Sequence, residues 1–263
     1  AGAHGLVRRS RARLRGGSSE YVDIGDPVVR MMVYSGTSDD LFAATADGIY
    51  DADRISGGGA VFADVAGLGS GDWSYTQVAT SGGSFLVAVN GTDLAHYFDG
   101  SNFHPITTVA VNNVGYDALA TTFVVGQTVT GGTSGATAVI LSIVQTSATA
   151  GTLRVGTITG GPFQDNEALT SASGTATANG ASSAGSAVVV TNIATSDLSQ
   201  VFSHKSRIFG IEKNSLSMWY LPAASVGGAA VEFPLGAIFL RGGTLMFGAS
   251  WSLDSGAGLD DVC

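Results

Sequence analysis

Three stretches of this chain repeat one plan: a short apolar strand, a polar turn, then a second strand ending in aromatics. "DDLFAATADGIYDAD" (39–53) sets Leu41-Phe42-Ala43-Ala44 before Ala-Asp-Gly and Ile49-Tyr50. "GGSFLVAVNGTDLAHYFDG" (82–100) does so with Phe85–Val89, Asn90-Gly91 and His96-Tyr97-Phe98. "SRIFGIEKNSLSMWYLP" (206–222) does so with Ile208–Ile211, Lys213-Asn214-Ser215 and Met218-Trp219-Tyr220. Each reads as a β-hairpin, with Asn-Gly the strongest turn signal. A further short apolar or alternating segment precedes each one: 28–34, 73–80 and 198–203. Phe42 and Leu86 stand about 44 residues apart, a period that suits a propeller blade of three or four short strands. "GGTLMFGASWSLDSG" (242–256) reads as the opening of a fourth unit, and "GLDDVC" as a chain cut within an element.

The step from Leu86 to Phe209 is too long for one period, so a segment is inserted. Residues 113–190 carry only four charged side chains, Asp117, Arg154, Asp165 and Glu167. They also hold an internal echo: "FVVGQTVTGGTSGATA" from Phe123 and "FQDNEALTSASGTATA" from Phe163, 40 residues later. Period-two alternation in "TAVILSIV" and "GTLRVGTIT" argues for a small β-barrel or sandwich rather than low-complexity disorder. "ANGASSAG" (178–185) reads as a flexible return linker. The expected organisation is all-β: a basic arm at 1–20, propeller-like blades at 21–112 and 191–263, and an inserted β-rich domain at 113–190. Thirty-eight glycines and five prolines suit tight turns between strands.

Charge divides sharply. Residues 1–15 hold Arg8, Arg9, Arg11, Arg13 and Arg15 and no acid, while the remainder carries −14, for a net charge of −9. An acidic body repels nucleic acid rather than holding it. The arginine run reads either as a solvated arm or as a contact arm for an acidic neighbour. No window of 18 apolar residues exists, so no membrane-spanning helix is expected. The one cysteine, Cys263, allows no internal disulfide.

Chemistry-bearing patterns are sparse. His4, His96, His104 and His204 have no metal-ligand spacing; His96 and His104 are the pair able to converge, with separate structural roles the expected outcome. No Gly-x-Ser-x-Gly elbow or phosphate-binding Gly-x-x-x-x-Gly-Lys loop occurs, and "GLGSG" (67–71) precedes a strand, not a helix. "DADR" (51–54) and "DSGAGLDD" (254–261) offer oxygen ligands to calcium but match no calcium loop. Asn90-Gly91-Thr92 matches a glycosylation sequon and reads better as a turn. Trp73, Tyr97 and Trp219 are candidate glycan platforms, with Trp219 read as core. No particular pair of acids is singled out for glycoside hydrolysis.

Taken together, "LRGGSSEYV", "LFAATADGIYD", "SFLVAVNGTDLAHYFDG", "SRIFGIEKNSLSMWYLP" and "FLRGGTLMFGASWSLDSGAGLDD" resemble tail proteins of tailed bacteriophages, specifically the nozzle-type tail tubular proteins of short-tailed phages. The likeness covers 14–110 and 198–263, and the insert resembles a mobile bead-like module of phage structural proteins. The resemblance implies a non-enzymatic virion protein of the tail. It implies a ring, commonly sixfold, below the portal and adaptor, contacts with other tail proteins, and transient passage of genomic DNA. No catalytic, cofactor or metal residues come with it. Part of the acidic body would then face the channel, and the Arg8–Arg15 arm would dock on an acidic neighbour. A receptor- or glycan-binding protein, a capsid decoration protein and a propeller hydrolase are the competing readings.

Overall fold

A computed structural model describes residues 22–36, 38–53, 61–254 and 259–262. Among them there is no α-helix; two 3₁₀ turns, at Thr195–Asp197 and Leu235–Ala237, interrupt an otherwise all-β chain.

The first repeat forms an antiparallel meander, sheet one: β1 (Arg30–Ser35), β2 (Asp39–Ala44), β3 (Gly48–Asp51) and β4 (Val65–Ala66). The second forms sheet two: β5 (Ser74–Thr80), β6 (Gly83–Val89), β7 (His96–Phe98) and β8 (Phe103–Thr107). Hairpins β2–β3 and β6–β7 lie where the repeats place them. The Asn-Gly turn does not: residues 90–95 form a longer loop. There Asn90 Oδ1 accepts the backbone N–H groups of Thr92 and Asp93, and its Nδ2 donates to Ser70 O and Asp93. The asparagine is thus committed to fixing a loop against a neighbouring segment.

The insert opens with β9 (Asn112–Thr121), β10 (Thr128–Gly131), β11 (Thr137–Gln145), β12 (Gly151–Val155), β13 (Ala168–Thr170) and β14 (Thr175–Ala178). Their antiparallel pairings run β11–β10–β13–β14–β9–β12 and back to β11, a closed six-stranded ring. Closure removes the free edges that such polar, Thr-rich strands would otherwise expose. The 40-residue echo becomes a pseudo-twofold. Phe123 and Phe163 are both buried in the barrel core, Val129 and Leu169 likewise, and Thr130 faces Thr170 across the β10–β13 seam. The stretch 178–185 is no linker. Asn179 N donates to Gly115 O, Gly180 N to Asp165, and β15 (Ser183–Ala184) pairs with β9.

The chain re-enters the body as β16 (Val188–Thr191), parallel to β8. The third repeat then forms sheet three from β17 (Leu198–His204), β18 (Arg207–Glu212) and β19 (Ser217–Tyr220). The short β20 (Gly228–Ala229) joins β16, and β21 (Val231–Pro234) completes sheet three beside β19. A separate hairpin, β22 (Trp251–Asp254) with β23 (Leu259–Val262), follows where a fourth unit was expected.

The three sheets stack with sheet two in the middle. Along β6, Leu86 and Ala88 enter a core shared with Met32, Phe42 and Ile49 of sheet one. Val87 and Val89 enter a second core shared with Val201 and Ile208 of sheet three. This explains the unbroken "FLVAV" run: a strand buried on both faces needs no polar alternation. Phe42 packs edge-on against Phe98 and Phe103 at 4.7 and 4.8 Å, the geometry aromatic quadrupoles favour. Lys213 clamps sheet three to the β6–β7 loop of sheet two. Its Nζ donates to Gly91 O at 2.8 Å and to Ser196 O, and pairs with Asp197 at 3.0 Å.

The barrel is built into this body rather than hung from it. Ala66 of β4 pairs with Ile143 of β11, and Ala63 and Ala66 lie in the barrel core with Tyr50 packed against it.

Candidate functional site

The polar residues of the insert and of sheet two meet at the barrel–body junction. His96 and His104 lie on paired strands, but Tyr97 faces His104 and Pro105 faces His96 in the register, so the two rings stand on opposite faces of the sheet and form no site together. Each keeps its own partners. His96 Nδ1 sits 2.9 Å from Leu94 O, which makes it the protonated nitrogen and leaves Nε2 to accept from Ser142 Oγ at 3.3 Å. Trp73 packs edge-on at 5.9 Å. Burial drives the His96 pKa down from 6.5 to about 3, with Arg154 and His104 adding to the shift against the Leu94 hydrogen bond.

His104 Nε2 meets Asp99 Oδ2 at 2.9 Å, and its ring lies 5.2 Å from that of Tyr97. Burial and then Arg154 lower the His104 pKa, outweighing Asp99. For Asp99, burial pulls the pKa up, but the N–H groups of Asn102 and Ser101 and the neighbouring His104 leave it below its usual value. From the barrel side, the buried Arg154 of β12 reaches across and donates to Phe103 O of sheet two. Burial lowers its pKa, against the pull of Tyr97, Asp99 and Asp64.

A cleft of about 480 Å³ opens between the barrel, the loop after β4 and the 92–96 segment, with His96 and Ser142 among its lining residues. The Ser142–His96 contact has the tautomer of a nucleophile–base pair. Its histidine is a poor base: at a pKa near 3 it draws little proton density from a hydroxyl at neutral pH, and Ser142 itself is buried. The arrangement suits a junction pin. Neutral His96 and cationic Arg154 satisfy buried acceptors from opposite sides of one seam.

Removing the cation is therefore costly. Arg154→Met leaves the Phe103 carbonyl without its donor from the barrel, and is expected to lower unfolding stability by about 1 to 3 kcal/mol. Urea unfolding followed by tryptophan fluorescence measures this; an unchanged midpoint sinks the pin.

No known family model, curated protein or solved structure matches this chain. What the site does must come from its geometry.

Of the residues singled out in the sequence, Arg8, Arg9, Arg11, Arg13 and Arg15 lie outside the described residues. Trp73 and Tyr97 are buried, which removes them as glycan platforms, and Trp219 packs half-buried against the second core with Nε1 donating to Glu212. The acids of the 51–54 turn act on backbone: Asp53 accepts from Leu41 N, and Asp51 from Asp53 N. Among the described residues, no group of three His, Cys, Asp or Glu side chains is placed to hold a metal ion, and no helix is long and apolar enough to cross a membrane.

Sequence reasoning missed Glu167 and Gln127. Glu167 sits in the barrel at 3% exposure and accepts from Thr133 N, Ser134 N, Gln164 N and Ser134 Oγ. Burial raises its pKa, but these donors more than reverse the effect, and the carboxyl stays below its ordinary value. Gln127 is its counterpart in the other half-repeat, 40 positions earlier. It accepts from Ser171 Oγ and Ser173 N and donates to Ser173 Oγ. Each side chain holds the other half's hairpin turn. The signal was present in the echo, where "GQTVT" aligns with "NEALT" and places Gln127 over Glu167.

Proposed function

We propose that this chain is a structural component of a bacteriophage tail, a wall element of the nozzle ring through which the genome leaves. The observation that carries the reading is apolar surface left open at both ends of an acidic three-sheet stack. Met31 and Val33 project from edge strand β1, and Val231 and Phe233 from edge strand β21. Beyond β21, Ile238, Phe239, Leu240, Met246 and Phe247 are also exposed, Leu240 at 88%. Soluble monomers seldom leave so many large apolar groups open, so partners covering them are expected. A rigid stack of sheets with open ends suits a wall built from repeated copies. Its net charge of −9 would let phosphates slide past rather than stick.

The test is location. An antibody raised against the barrel, residues 112–178, is applied to purified virions and imaged by electron microscopy. Label at a single vertex supports the tail reading. Label spread over the shell replaces it with capsid decoration, and unlabelled particles alongside a positive immunoblot of free protein remove the virion role.

A further inference from the structure

We propose that the outer face of sheet three docks, head to tail, on the outer face of sheet one in a second copy of this chain. The inference deepens the assembly reading above by naming the two surfaces that meet.

The packing mode already occurs twice within the chain, since sheet two carries a sheet on each of its faces. The two end sheets each have one face used in this way and one turned outward. On sheet three the outward face is apolar across all four strands. Phe202 pairs with Phe209, Phe209 with Tyr220 and Tyr220 with Val231, while Met218 pairs with Phe233 in the next row. Among the described residues, the segment after residue 244 lies along the β17 side, where Gln200 and Gly248 exchange two hydrogen bonds, and touches the β18–β19 turn through Leu245 N and Ser215 O. The β19–β21 side stays open, with Phe233 45% exposed.

Sheet one has the matching form. The barrel covers the side bearing Tyr50, and the β1 side is open, with Met31 55% exposed and Val33 beside it. Each end sheet thus offers a half-covered apolar face with an open edge strand.

Charge selects which faces meet. On sheet three, Arg207 lies over the Tyr220 ring at 5.5 Å, next to Lys205 in the β17–β18 turn. On sheet one, Asp39 shares the outward face with Val33 and Leu41, and Asp40 stands at the end of the same strand. Joining two copies of the same face would bring together two basic patches or two acidic ones and leave neither with a charge partner. Joining unlike faces sets Arg207 and Lys205 against Asp39 and Asp40. Such a contact is heterologous, and repeating it closes a ring or extends a filament.

Sedimentation velocity over a range of concentrations tests this on the full chain. The wild type is expected to form species beyond a dimer as concentration rises. Phe233→Asp and Met31→Asp each remove one face and leave the other. Each variant alone is expected to stay monomeric, and an equimolar mixture to form a heterodimer that grows no further. Both positions are exposed, so folding is expected to survive; Val231→Asp and Val33→Asp replace either variant that loses a cooperative melt. Arg207→Glu is expected to weaken association about tenfold, and adding Asp39→Arg to restore it. A wild type that stays monomeric throughout overturns the inference, as does a Met31→Asp variant that still assembles like wild type. Monomeric protein together with tail-vertex labelling of virions would discard this interface and leave the tail reading standing.

Discussion

Lowering the pH from 7 to 4.5 is expected to cost the folded chain about 2.5 kcal/mol through His96 alone. Its pKa is depressed from 6.5 to about 3 in the fold, because the ring is buried, with the nearby positive charge of Arg154 and the neighbouring His104 adding to the shift. Below pH 6.5 the unfolded chain takes up a proton that the folded chain refuses. Stability is therefore fully present above 6.5 and drains away as the pH falls toward 3, where the folded ring finally protonates. Two pH units within that window correspond to about 2.7 kcal/mol. His104 acts in the same direction, since its pKa is also lowered. The measurement is the urea midpoint at half-unit pH steps, in wild type and in His96→Gln. Glutamine keeps a polar group near Leu94 O and Ser142 but cannot titrate, so its profile is expected to be flatter between 6.5 and 4.5. A wild-type profile as flat as the variant's would mean that the ring is hydrated and the junction open.

That junction was not legible in the sequence, and the reason is physical. The repeats gave the three meanders because hairpins are local: an apolar strand, a turn and an aromatic-ended strand are written in consecutive residues. The barrel was legible for the same reason, through alternation in "TAVILSIV" and the echo from Phe123 to Phe163. Pairing across the barrel seam is not local. Nothing around Arg154 announces that it will reach Phe103 O, 51 positions earlier, or around Ser142 that it will meet His96. The same limit explains the loop at Asn90. Asn-Gly favours a two-residue turn in isolation, but Asn90 can also hold Ser70 O and Asp93, and the longer loop satisfies both. Aromatic type likewise says little about exposure. Trp73 lies in the core between two sheets because "DWSYTQV" is the first strand of the middle sheet rather than a surface rim.

Glu167→Ala is expected to remove about 2 kcal/mol from the barrel, a large effect for a polar side chain. The carboxylate is buried and holds three backbone N–H groups from two separate segments, Thr133 and Ser134 in one turn and Gln164 in the approach to β13. Alanine leaves those donors to water at the rim of the barrel, and the loss of charge-assisted hydrogen bonds from two segments at once costs about 2 kcal/mol. The surroundings are shaped to this group: a Cβ added at Gly131 would stand 2.5 Å from Glu167 Oε1 and push the carboxylate off its donors. Glu167→Gln keeps the volume but turns an amide NH₂ toward donors, so it is expected to recover less than half of the loss. Gln127→Ala supplies the internal comparison. It breaks the equivalent contacts in the other half-repeat, but these are neutral and partly exposed, and about 1 kcal/mol is expected. The pH dependence separates charge from shape. The Glu167 pKa is lowered in the fold, so its contribution is present above the ordinary glutamate range and lost as the pH falls through the depressed value. Wild type should therefore converge on Glu167→Gln in strong acid and stand well apart from it at pH 7. Denaturant unfolding of both variants at the two pH values decides the matter. Equal losses for Glu167→Ala and Gln127→Ala would mean that the two halves are held by shape alone, and that the buried charge contributes nothing to closing the barrel.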